Sequence, residues 1–152
     1  MRYKPLWACF VSVWLILFSA TTAALTVGAE RPSEYLSLLK DQRVGLVVNQ
    51  SSRAFEQHLV DFLLTQDVNV TAIFAPEHGF RGDHGAGEKV ATDKDRKTGL
   101  PIYSLYGKTR KPTAAMLTNV DVLVFDIQDV GVRFYTYIST LHYVMEACAE
   151  NN

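Results

Sequence analysis

An α/β fold, with helical layers on either side of a mainly parallel sheet, is what three features of this chain predict. Apolar runs alternate with amphipathic stretches from Glu30 onward. Three of those runs, residues 43–48, 69–74 and 121–126, are short, continuous and rich in β-branched residues, as strands buried on both faces must be. After each comes a polar loop, and helical spacing returns before the next run. The chain has 152 residues, 48% of them apolar and 20% charged, which is enough to build one core and excludes disordered, collagen-like and coiled-coil architectures.

The amino terminus reads as an export signal. Arg2 and Lys4 are followed by no charged residue until Glu30, and Leu6 to Ala20 is almost continuously apolar. Small residues offer several cleavage points, of which Val27-Gly28-Ala29 best fits a small-x-small site. Cleavage between Ala23 and Ala29 is expected, making residues 1–29 a signal peptide and residues 30–152 a secreted or periplasmic domain. The competing reading is an uncleaved membrane anchor, because the uncharged run approaches the ~20 residues of a bilayer span. Cleavage removes two basic residues and no acidic one, taking the net charge from −1 to −3. There is no basic excess to neutralise a phosphate backbone, so nucleic acid is not an expected partner, and after cleavage neither is a membrane. Cys9 lies in the leader and Cys148 stands alone in the domain, so no disulfide framework is expected.

Tyr35, Leu36, Leu38 and Leu39 predict a short helix before the first strand at Val44 to Val48. Phe55, Leu59, Phe62 and Leu63 predict a helix over 55–64, completing a βαβ unit with the strand that ends at Phe74. Residues 75–100 form a long, glycine-rich loop, followed by an extended piece at Pro101 to Tyr103. Thr113 caps a helix through Leu117, Val122 to Phe125 forms the third strand, and Tyr137 to Glu150 is a further helix. A doubly wound sheet would next require another strand; the sequence therefore reads as cut off within a domain.

In open α/β sheets, ligands bind beyond the carboxyl ends of the strands. Three polar loops fall there: Asn49-Gln50-Ser51, the segment from Pro76 to Asp83, and the segment from Asp126 to Arg133. They bring Glu77, Asp126 and Asp129 towards one crevice, together with His78, Arg81, Gln128 and Arg133. Paired carboxylates flanking a bond are what glycoside hydrolysis requires, one as proton donor and one as base or nucleophile. The alternative is that the aspartates cap the following helix and Glu77 is a solvated loop residue. Phe80, Tyr103, Tyr106, Phe134, Tyr135 and Tyr137 cluster near the same loops, where aromatic rings could stack on sugar faces; part of this set belongs to the core.

Other chemistries fit less well. Glu77, His78, Asp83, His84 and Glu88 could hold a metal, as in a metal-dependent hydrolase, but H-E-x-x-H and every cysteine-pair spacing are missing. The glycines at Gly79, Gly82, Gly85 and Gly87 do not spell a dinucleotide fingerprint, and there is no G-x-S-x-G elbow. No cofactor is expected.

Three long stretches, FAPEHGFRGDHGAGEKV, KTGLPIYSLYGKTRKPT and DVLVFDIQDVGVRFYTYIST, closely resemble the bacterial exo-β-N-acetylmuramidase family, formerly a domain of unknown function. The resemblance covers roughly residues 35–150. It implies the Rossmann-like amino-terminal domain of a two-domain enzyme that releases N-acetylmuramic acid from the non-reducing ends of peptidoglycan fragments. The family's remaining strands, its later Asp-Arg-Pro-Asn-Pro-like loop and its second domain are not in this sequence, so the chain by itself could be inactive, or act as a non-catalytic wall-glycan binding module. The loop from Asn49 to Arg53 is also shorter than the family's glycine-containing version. Within PEHGFRG the resemblance places the proposed catalytic glutamate at Glu77, the expected general acid. A carboxyl that donates a proton near neutrality needs an apolar or anionic setting, expected from Phe74, Phe80 and Asp126 or Asp129. N-acetylmuramic acid carries a lactyl carboxylate, so cations are expected at the site: Arg81 and Arg133, with Lys108 behind them. Asn49, His78, Tyr106, Gln128 and Tyr135 complete the expected substrate contacts.

Overall fold

The structure is a computed structural model that describes residues 25–77, 79–81 and 93–152. The leader up to residue 24, with its cleavage choice at Ala23, and the expected ligands His78, Asp83, His84 and Glu88 lie outside the described residues. Among the described residues no helix is long and apolar enough to cross a membrane.

A 3₁₀ turn at Gly28–Glu30 leads into α1 (Pro32–Leu39), which starts with proline at a position whose N–H has no helical partner anyway. The central strand β1 (Val44–Val48) is buried at every residue. A small hairpin, β2 (Arg53–Ala54) and β3 (Gln57–His58), precedes α2 (Leu59–Thr65). There follow β4 (Val70–Ala75), β5 (Asp93–Lys94), β6 (Pro101–Ser104), α3 (Ala114–Leu117), β7 (Val122–Asp126) and α4 (Tyr137–Asn151).

The main sheet runs β5-β6-β4-β1-β7. Strand β1 pairs in parallel with β4 on one side and with β7 on the other, placing Val48 opposite Asp126, and β4 pairs in parallel with β6. Only β5, at the edge beyond β6, is antiparallel. The chain thus moves outward from β1 through β4 to β6, then returns across β1 to lay down β7. That reversal puts the topological switch point between β1 and β7.

Alternation along the strands divides the core in two. Val44, Leu46, Val48 and Ile73 face α1 and α2, with Leu39, Leu59, Val60 and Leu63. Val47, Ala72 and Phe74 face α3 and α4, meeting Val144, Met116 and Leu117. These are the three layers that the alternating pattern predicts. Gly45 belongs to the second face, where a Cβ would stand 2.6 Å from Leu123 Cδ2 and 3.0 Å from Phe74 Cε2, so the sheet centre admits no side chain there. Arg43 closes the opposite end of the sheet, its guanidinium 2.6 Å from Asp121.

One element differs from expectation. The helix expected over 55–64 begins at Leu59, because residues 53–58 form the hairpin instead. Phe55 sits at its turn with φ 55° and packs its half-exposed ring 5.4 Å from Phe62. Its apolar character matches the helical period, yet the contact that satisfies it comes from the hairpin. The short extended piece at residue 101 joins the sheet as β6, which sequence alone could not specify because its partner β4 lies across the long loop.

Candidate active site

The loops at the carboxyl ends of β1 and β7 are tied to one another. Asn49 is buried, and its Oδ1 accepts from the Ser51 N–H at 2.8 Å while its own N–H donates to Ser52 Oγ at 3.0 Å. This self-bonded turn follows from asparagine and serine side chains that mimic backbone partners. Ser52 Oγ donates to the Asp126 carbonyl, and Ser51 Oγ accepts from the Gln128 N–H at 3.0 Å. Both serines therefore bridge the switch point.

The loop after β4 is fixed from the opposite layer. Glu77 lies in a turn in which the Gly79 N–H donates to the Pro76 carbonyl at 3.3 Å, with Gly79 at φ 74°. The next residue, Phe80, is buried, and its carbonyl is held at 3.1 Å by Nε2 of His58. The same Nε2 lies 2.9 Å from the Asn49 carbonyl, while Nδ1 accepts from the Val60 N–H at 3.2 Å and so caps α2. These partners fix the tautomer: a ring with two carbonyls at Nε2 and a donor at Nδ1 must be neutral and protonated at Nε2. His58 thus links the β1 loop to the β4 loop. No sequence signal marks this link, because a histidine at a helix boundary looks like an ordinary surface residue.

Burial pushes the His58 imidazole below its ordinary value, and the nearby Arg81 charge acts the same way against the opposing hydrogen bonds. A depressed pKa means that the folded state binds fewer protons than the unfolded one. The contribution is fully present above the unfolded value of about 6.5 and is lost as pH falls below it. We expect Tm to decline below about pH 6.5 and that part of the decline to vanish in His58→Gln, as thermal melts across pH would reveal. His58→Ala, which strands two carbonyls, is expected to cost about 2 kcal/mol.

Beside Glu77 lies a cleft of about 310 Å³, whose walls include Leu105, Tyr106, Arg110, Thr140 and Tyr143. It is at the small end of the ~300–1,000 Å³ range of ligand pockets. The Tyr106 phenol donates a hydrogen bond to the Glu77 carboxylate, and this bond with the carboxylate's charge raises the phenol above its usual value. At the start of α4, burial raises the Tyr137 phenol; a side-chain hydrogen bond with Asn49 opposes this, and the Glu77 charge reinforces it. The Tyr135 and Tyr137 rings meet edge to face at 5.9 Å. The fold therefore gathers Asn49, Glu77, Tyr106, Tyr135 and Tyr137 from four separate strand-end loops.

Other expected residues lie elsewhere. Asp126 shares the sheet edge with Glu77 but not its pocket. As the last residue of β7 it follows Val122 and Val124 onto the α1/α2 face, where it lines a separate cavity of about 390 Å³ with Tyr35, Leu59 and Leu63. Burial there raises its carboxyl above the ordinary range. The crevice drawn from strand ends alone thus splits into two by the period-2 alternation of the strands. Asp129 is exposed and braces its own turn, accepting from the Gly131 N–H at 2.7 Å. Phe80, expected beside Glu77, instead packs in the α1/α2 core against His58, with ring centroids 5.4 Å apart.

Arg81 also departs from expectation. It meets two of the protein's own carboxylates, Asp61 at 3.2 Å and Asp95 at 3.0 Å, and stacks over the Phe80 ring at 4.5 Å. With four of its five N–H groups given to these two carboxylates, the guanidinium has no paired donors left to fork onto a ligand carboxylate, so Arg81 pins the ends of the long loop rather than the substrate. Gln128, Arg133 and Lys108 are exposed, and Arg133 forms no ion pair with Asp126 or Asp129. Arg110, which the sequence reading passed over, lines the cleft. Among the described residues no group of three His, Cys, Asp or Glu side chains could hold a metal ion.

Comparison with known proteins reaches the same segment. The family described as Exo-beta-N-acetylmuramidase NamZ, N-terminal, matches residues 44–152. The chain is 54% identical over 120 residues to the peptidoglycan beta-N-acetylmuramidase NamZ of Bacillus subtilis strain 168, covering 78% of this chain and 29% of that protein. Two crystal structures of DUF1343 family proteins from Bacteroides fragilis are also similar. One superposes with a TM-score of 0.71 at 48% identity, covering 80% of this chain and 30% of its own. The other gives 0.68 at 44% identity, with 81% and 31% covered. The chain spans less than a third of the length of these relatives.

Proposed function

The chain belongs to the NamZ amino-terminal family, and from that premise we propose that it supplies the proton-donating half of an exo-acting glycoside hydrolase. The substrate in this reading is a peptidoglycan fragment ending in N-acetylmuramic acid, cleaved at its non-reducing end during cell-wall turnover. The observation that carries it is Glu77: a carboxyl on a turn anchored at both ends, facing a cleft of one-sugar dimensions whose walls include Tyr106, Thr140 and Tyr143.

The chemistry follows from that placement. Glu77 delivers a proton to the glycosidic oxygen as the bond to the anomeric carbon breaks, and Tyr106 orients the carboxyl by hydrogen bonding. The exposed Tyr135 ring offers an apolar face to the pyranose, while Asn49 and Tyr137, buried and hydrogen-bonded to each other, brace the start of α4 behind it. Gln128, Arg133 and Lys108, on exposed positions near the same edge, extend the contact surface, with His78 beside Glu77 in the chain. The second carboxylate of a two-carboxylate mechanism, which activates the water that attacks the anomeric carbon or attacks it directly before water releases the sugar, would be Asp129 in preference to Asp126, which faces the other layer.

The leader of residues 1–29 directs this domain out of the cytoplasm in our reading, to where peptidoglycan is found. The experiment is to express the intact reading frame, continued past Asn152 wherever the genomic sequence continues, and to follow release of free N-acetylmuramic acid from a muramic-acid-terminated disaccharide. Release from that end only is the expected result. Binding without release would make the protein a wall-glycan binding module, and neither binding nor release would reject the reading.

A further inference from the structure

We infer that Arg110 is the residue that selects an anionic sugar in the Glu77 cleft, by pairing with the carboxylate that distinguishes N-acetylmuramic acid from N-acetylglucosamine. The inference rests on the reading of the cleft as a sugar site and adds the group that tells one amino sugar from the other.

Many of the chain's cations are paired with its own acids. Arg31 pairs with Glu34, Arg43 with Asp121, Arg81 with Asp61 and Asp95, Lys97 with Asp61, and Lys111 with Glu146 and Glu150. Each of these is engaged with the protein's own acids. Arg110 is in no ion pair with a described residue, although its sequence neighbour Lys111 reaches two glutamates on α4; Lys40, Arg53, Lys94, Arg96, Lys108 and Arg133 also form no salt bridge with a described residue, but none of them lines the cleft. Among the described residues that line the Glu77 cleft, it is the cation. Its charge is felt at the Tyr106 phenol, opposite in sign to the influence of Glu77, and all three side chains line the same cleft.

That arrangement has a direct chemical counterpart. N-acetylmuramic acid is a neutral pyranose with one carboxylate, carried on an ether arm away from the anomeric carbon. A site for it needs a proton donor at one end and a cation displaced from it, and Glu77 and Arg110 offer both. A guanidinium suits a carboxylate better than an ammonium does, because its planar fork makes two parallel hydrogen bonds. The loop that carries Arg110 is held in place: Leu105 N–H donates to the Ala75 carbonyl at 2.8 Å, Ser104 Oγ accepts from the Tyr106 N–H at 3.2 Å, and Lys111 anchors its far end to α4. The cation is therefore carried on a braced segment next to the strand that presents Glu77. Arg81, the first choice on sequence, is spent in the loop clamp on the other layer.

The test uses the intact reading frame and a pair of chromogenic glycosides, one of N-acetylmuramic acid and one of N-acetylglucosamine. Arg110→Ala is expected to reduce the wild-type preference for the muramic substrate by ~10–100-fold, read as the ratio of kcat/KM values, with the loss falling mainly in KM. Arg110→Lys should restore part of that preference. Calorimetric titration with free N-acetylmuramic acid and N-acetylglucosamine gives a second reading that does not depend on turnover: the tighter binding of the acid should disappear in Arg110→Ala. A wild type that hydrolyses neither glycoside but still binds the acid more tightly would reject the hydrolase reading, and loss of that binding in Arg110→Ala would still support the inference. A preference that survives Arg110→Ala in both measurements would overturn it.

Discussion

Glu77→Gln in the intact reading frame is expected to lower turnover of a chromogenic N-acetylmuramic acid glycoside by ~10²–10⁴-fold while leaving the thermal melt unchanged. The amide keeps the shape of the side chain and can still hydrogen-bond to Tyr106, but it cannot deliver a proton. The turn that holds Glu77 has supports besides its carboxyl. They are the Gly79–Pro76 backbone bond, the His58 bond to the Phe80 carbonyl and the ion pairs of Arg81. Loss of activity with an intact fold therefore assigns the proton to Glu77. A substrate with a much better leaving group, which needs less protonation, should recover much of the lost rate in the variant. Near-wild-type turnover in a folded variant would remove Glu77 from the role and leave it to Asp129.

Arg81→Ala is expected to act on stability by about 3 kcal/mol, with activity falling only as the β4 loop loosens. The guanidinium sits between Asp61 and Asp95, whose side chains are 11% and 5% exposed, and removing it leaves two largely buried carboxylates facing each other. Lys97 reaches Asp61 at 2.8 Å and would compensate that one alone. The acid dependence follows. Burial alone would lift the Asp95 carboxyl, but hydrogen bonds from Arg81 and Thr98 outweigh it and hold it at about 2. A depressed carboxyl contributes stability that is complete above its unfolded value of about 3.9 and is lost as pH falls towards 2. Denaturant titrations of the wild type should show that acid limb, and Arg81→Ala should lose it. A variant as stable as wild type at neutral pH would mean that the clamp contributes nothing.

The strands were legible as short apolar runs: Val44–Val48 is buried at every residue, Val70–Ala75 at all but Thr71, and Val122–Asp126 is apolar up to its terminal aspartate. The Thr113 cap was legible for a local reason as well: its side chain accepts from the Met116 N–H three residues on. The start of α2 was not. Helical spacing from Phe55 to Leu63 is real, but a local hairpin and the His58 cap compete with it, and sequence spacing alone does not rank a hairpin against a turn of helix.

The site divides in the same way. Sequence by itself determined that Asn49, Glu77 and the 126–133 segment would fall at one edge of a parallel sheet, because strand polarity and right-handed crossovers leave no other edge for them. It could not determine which of them share a pocket. That was decided by the pleat, which turns Asp126 towards α1 and α2 while the β4 turn presents Glu77 to the α4 side, and by ion pairing, which takes Arg81 for the loop clamp and leaves Arg110 in the cleft. The physical reason is range. Strand burial and helix caps depend on neighbours a few residues away, whereas the direction of a side chain at a strand end, and the partner that neutralises a cation, depend on groups such as Asp61 and Asp95 that lie 20 and 14 residues from Arg81 along the chain and meet it only after folding.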